Sequence, residues 1–101
     1  MFNFSHLRFA EHPRYDFVQL AQMSMSDKYG ISVAQGEQTF GNVKNNTYEV
    51  AIFDRNFTKI IYNLPLKDEK GIPLKTSGVI SYVSVDTVSA IMYQLQEGLD
   101  E

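Results

Sequence analysis

The chain has 101 residues and a formal net charge of −3, with 44% hydrophobic and 21% charged residues, which is the size and balance of one globular domain spanning 1–101. No cysteine is present, so disulfides, thiolate nucleophiles and thiolate zinc sites are excluded. The nine basic residues are dispersed rather than clustered, which argues against a phosphate-binding surface and makes nucleic acid an unlikely partner.

The first residues carry no basic region followed by a long apolar one, and no apolar run reaches the length of a membrane span. We therefore expect a cytoplasmic protein and read the Asn-x-Ser/Thr triplets at Asn3, Asn45 and Asn56 as chance.

Phe2, Phe4, Leu7 and Phe9 interleave with polar residues, predicting a short strand or an extended arm packed on the core. Pro13 suits a first helical position. Phe17, Leu20, Ala21 and Ser24 share a helical face, Asp16 and Lys28 complement the dipole, and Gly30 is a natural terminator. The pattern predicts a first helix over 14–29.

Ile31 to Ala34 alternates as a strand, and 36–46 is turn-rich, broken by Phe40 and Val43. Over 47–53 the alternation is clearest: Tyr48, Val50 and Ile52 on one face, Glu49, Ala51 and Phe53 on the other. A turn at 54–56 leads to a return strand at 57–62, which makes a hairpin.

Residues 63–78 form a long connection with an internal repeat. Leu64-Pro65-Leu66-Lys67 and Ile72-Pro73-Leu74-Lys75 flank the charged turn Asp68-Glu69-Lys70-Gly71. A loop of this length is uncommon in a compact domain and is often functional. It reads equally as two arms tucked under the domain or as a projecting finger.

A strand follows at 79–83. Ser84 then caps a second helix with Asp86 in its first turn, and Gly98 ends it before the acidic tail Asp100-Glu101. Val85, Val88, Met92, Leu95 and Leu99 form its apolar stripe, with Ile91 alongside. The expected fold is α+β: an antiparallel sheet of about four strands with two helices packed on one face.

Chemistry-bearing patterns are sparse. His6 and His12 lie near Glu11 and Asp16 but lack metal-ligand spacing, so we expect no metal. No nucleophile turn, phosphate loop or dinucleotide fingerprint occurs; we expect no cofactor and no catalytic residue. Glu49 is the one carboxylate inside a strand. Either it faces solvent, the favoured reading, or it pairs with Lys59 across the hairpin.

These features point to a small non-enzymatic interaction protein, an accessory factor or inhibitor of a larger complex. A phage or other mobile-element product directed at a host defence complex is one concrete version. Its expected partner-binding residues are Leu64, Leu66, Lys67, Lys70, Ile72, Leu74 and Lys75, with a homodimer through the C-terminal helix (Met92, Tyr93, Leu99) as a further contact. Two competing readings stay open. One is a homo-oligomeric ligand-binding protein or enzyme with an interface site at Tyr48, Glu49, Lys59 and Tyr62. The other is a weak nucleic-acid module using Arg55, Phe57, Lys59 and Tyr62.

Overall fold

The computed structural model describes residues 1–99; the acidic tail Asp100-Glu101 lies outside them. The architecture is α+β-like, an antiparallel sheet of five strands with one helix. A 3₁₀ turn at Phe4–His6 leads into β1 (Ala10–Glu11), β2 (Val18–Ser24), β3 (Tyr29–Gly36), β4 (Tyr48–Asp54), β5 (Ile80–Val83) and α1 (Val85–Glu97). The strands lie side by side in chain order, a plain meander.

Instead of the expected first helix, the segment 14–29 forms a turn, then β2, then a tight connection to β3. Gln19, Ala21 and Met23 alternate with Val18, Leu20 and Gln22, so the same residues satisfy a period of two as well as a helical stripe. Seven cross-strand pairs with β3, from Val18–Gly36 to Ser24–Gly30, decide between them. Gly30 is no helix terminator. It lies within β3 under the Phe57 ring, where an added Cβ would come within 2.6 Å of the ring.

The return strand expected at 57–62 shrinks to one isolated bridge, Phe53–Ile60, plus a hydrogen bond from Ile61 N to Ile52 O of 2.8 Å. The free edge of β4 is shared: Ile60 takes its end, while β5 takes its beginning through Tyr48–Val83 and Val50–Ile80. The Asp54 carboxylate caps the intervening turn, accepting hydrogen bonds from the N–H of Thr58 and of Lys59 and from the Thr58 hydroxyl.

α1 begins as its sequence suggests. The Ser84 hydroxyl accepts from Thr87 N–H, and Gly98 closes the helix at φ 82°. Its buried side chains, Val88, Ile91, Met92 and Leu95, pack over Ile31, Val33, Val50 and Ile52 of the sheet. Among the described residues no helix is long and apolar enough to cross a membrane.

The repeat loop is a packed ribbon. Leu74 N–H donates to Leu66 O, Asp68 N–H to Ile72 O, and Lys67 bridges Pro73. Gln94 of α1 clasps the ribbon at both backbone groups of Lys67, at 2.9 and 2.7 Å, and the Thr87 hydroxyl donates to Glu69.

Candidate functional site: an aromatic rim at one end of the sheet

The expected loop contacts divide sharply by burial. Leu64 is buried and Leu66 is 1% exposed, both inside the main core, while Leu74 is half-buried against it. Lys67, Lys70 and Ile72 are exposed, as is Lys75. The apolar stripe of α1 is likewise consumed by the sheet, leaving Tyr93 as its exposed aromatic.

Each histidine has a local job. His6 Nδ1 accepts from the Asn3 N–H, and His12 Nδ1 accepts from the Arg14 N–H beside the Tyr15 ring. Among the described residues no three His, Cys, Asp or Glu side chains gather in a metal-binding group. The only ion pair among them joins Arg55 to Asp27 at 3.3 Å, so Glu49 is not paired with Lys59. Asp54 has its carboxyl held below the ordinary aspartate range, first by the Lys59 N–H and next by the Thr58 hydroxyl.

A different group of residues comes together at the end of the sheet where the chain enters β2 and leaves β3. Phe17 is 82% exposed, Val43 69%, Tyr82 58% and Phe40 52%. Phe17, Val43 and Tyr82 line one open groove of about 500 Å³ running along residues 36–44. Phe40 meets Tyr82 at its margin, edge to face with ring centroids 6.2 Å apart.

Local backbone conformation puts two of these rings outside. Phe17 sits at φ 61° and Tyr82 at φ 52°, both in the left-handed region. For a non-glycine residue that conformation costs roughly 1–2 kcal/mol. By strand alternation Phe17 would share the helix-covered face with Gln19 and Ala21, and Tyr82 would share it with Ile80. At Tyr82 the agent is a β-bulge: Ser81 and Tyr82 together stand opposite Glu49, between the pairs Val50–Ile80 and Tyr48–Val83. The extra residue gives Val83 the buried place and turns Tyr82 outward.

The loop between β3 and β4 is built to carry its apolar residues on the surface. Gly36 (φ 126°) lets the Phe17 carbonyl approach so closely that an added Cβ would lie 2.1 Å from that oxygen. The Thr39 hydroxyl donates to Gly36 O at 2.7 Å, and Tyr82 N–H donates to Phe40 O at 2.7 Å. Beyond Gly41, paired backbone hydrogen bonds join Asn42 and Thr47 at 2.9 and 3.0 Å. The buried Gln35 amide donates to Thr47 O from beneath. Phe40 and Val43 are thus exposed on a braced loop.

Sequence reasoning placed Phe17 on a buried helix face and Tyr82 in an ordinary strand. One available signal was Phe40 and Val43, two large apolar residues inside an otherwise polar, turn-rich stretch. The left-handed conformation of an aromatic residue has no sequence signature, because the chemistry that favours it belongs to glycine and asparagine. Comparison with family models, with curated proteins and with solved structures finds no match to this chain.

Proposed function

We propose that this protein is a small, non-enzymatic binding module that seats another protein on the rim formed by Phe17, Phe40, Val43 and Tyr82. The observation that carries the reading is that, of three left-handed aromatics, Phe17 and Tyr82 are both exposed on the same groove, whereas Phe57 packs over Gly30. Backbone strain concentrates where function requires it. Here it removes two rings from the covered side of the sheet without burying them elsewhere. Exposed aromatics on a braced loop match the anchors that dominate protein interfaces.

The expected loop contacts supply a separate, testable surface: Ile72 with Lys67, Lys70 and Lys75. Capture of binding proteins from the native host compares three chains: wild type, Phe17→Ser with Tyr82→Ser, and Ile72→Ser with Lys75→Ala. Loss of the bound protein in the rim variant alone, with its melting temperature retained, supports the rim. Loss in the loop variant alone returns the contact to residues 63–78. A mass that doubles with concentration and collapses in the rim variant would identify the partner as a second copy.

A further inference from the structure

We propose that a trough on the open face of the sheet is the seat for an arginine side chain of the partner that the rim binds, an assignment that rests on the rim being the contact surface. The sheet has one face covered by α1; on the other, β3 presents only small residues, Gly30, Ser32, Ala34 and Gly36. Larger neighbours stand on both sides: Leu20 and Gln22 of β2 pair with Ala34 and Ser32, and Glu49 of β4 pairs with Ala34, beside the small Ala51. The result is a trough of about 320 Å³. Phe57 closes the Gly30 end, and at the other end Gln38 and Thr39 line both the trough and the rim groove. One partner segment can therefore reach both.

Two polar groups in the trough lack partners. Ser32 is 8% exposed and lines it; its hydroxyl makes no hydrogen bond to any described residue and is open to solvent, since no buried side-chain N or O atom among the described residues is left unpartnered. Glu49 is the only acidic or basic side chain lining the trough apart from His12, and no described residue pairs with it. Ser32 and Glu49 are diagonal neighbours in the β3–β4 register, within reach of one planar ligand group.

A solvated sheet face ordinarily carries polar residues. This one mixes polar and apolar residues: Leu20, Ala34, Ala51, Phe53, Ile60 and Val79 line the trough with Glu49, alongside the polar His12, Tyr15, Gln22, Gln38 and Thr39. A neutral occupant would cover Glu49 and bury an unpaired charge, which is strongly unfavourable. A cation on an apolar stem pairs with Glu49 and lays its stem on the apolar part of the lining. Arginine fits better than lysine because its planar fork can pair with the carboxylate and still donate to the Ser32 oxygen, while its stem lies on the alanines.

The test follows backbone amide shifts of the full isotope-labelled chain with three probes. These are acetyl-arginine methylamide, its neutral isostere acetyl-citrulline methylamide, and a short peptide linking the same arginine to a phenylalanine that can reach the rim. The arginine amide is expected to shift Ser32, Ala34, Glu49 and Ala51, with the citrulline amide at least about five-fold weaker and the difference abolished in Glu49→Gln. The linked peptide is expected to bind about ten-fold or more tighter than the amide, a gain lost in Phe17→Gly.

Equal binding of arginine and citrulline, or no shift in the trough with any probe, overturns the assignment. If the peptide shifts only rim residues, the trough inference falls and the rim reading stands. If arginine amide binds as tightly as the linked peptide, the trough takes free guanidinium compounds rather than a partner's side chain, and the rim loses its support.

Discussion

The two faces of β3 obey different rules. On the covered face Ile31 and Val33 are fully buried beneath α1, flanked by Met23 and Ala21 of β2 and by Ile52 and Val50 of β4. On the open face Gly30, Ser32, Ala34 and Gly36 leave space, and bulk is displaced to the ends, where Phe57 closes one and Phe17 overhangs the other. One strand alternating between large and small residues thus builds a core on one side and a trough on the other. The contrast separates the part of the chain that stabilises from the part available for contact. Leu64 and Leu66 of the repeat loop belong to the stabilising side, since they join the core beside α1, while Lys67, Lys70, Ile72 and Lys75 stay exposed.

The largest expected effect tests the covered face. Ile31→Ala should cost about 2–5 kcal/mol of unfolding free energy by denaturant titration, because a fully buried side chain leaves a cavity. Ala34→Val, three residues along on the open face, should change stability by less than about 1 kcal/mol, since its added methyls extend into the trough. Comparable losses at both positions would break the comparison. Leu66→Ala should behave like a core substitution, costing about 2–4 kcal/mol, with Ile72→Ala in the same ribbon within about 0.5 kcal/mol of wild type. Equal and small effects would show the ribbon to be detached from the core.

At the rim the sign reverses. Phe17→Gly relieves a left-handed aromatic and loses little packing, while glycine adds freedom to the unfolded chain. The net expectation is a gain of about 0.5 kcal/mol, seen as a melting temperature roughly 2–4 °C higher. A clear loss would mean that Phe17 is a packing residue. The smallest effect concerns the turn that carries Phe57 to the trough. Asp54 has a depressed carboxyl in the folded chain, so its contribution is present above the unfolded value and is lost as pH falls through the folded one. The stability difference between wild type and Asp54→Asn should be constant near neutrality and shrink below about pH 4. A difference independent of pH would remove the carboxylate from the turn's account.

Legibility in the sequence followed the same division. The alternation of Tyr48, Val50 and Ile52 against Glu49 and Ala51, and the Ser84 to Gly98 limits of α1, were readable because each depends on local periodicity and capping. β2 was not, because Phe17 to Ser24 satisfies both periods and only its seven-pair register with β3 selects the strand. The short ribbon at Ile60 was overread as a strand because the claim of β5 on β4 is a long-range fact. The rim was least legible, since it depends on a bulge at Tyr82 and on the close approach of Phe17 O to Gly36.

The most direct measurement combines stability and capture on one variant. Phe17→Gly with Tyr82→Gly removes both exposed rings while relieving both left-handed conformations. This chain should melt no more than a few degrees below wild type and bind the captured partner at least about ten-fold more weakly, the loss expected of two interface anchors. Undiminished capture by a folded variant would contradict the rim as the contact surface.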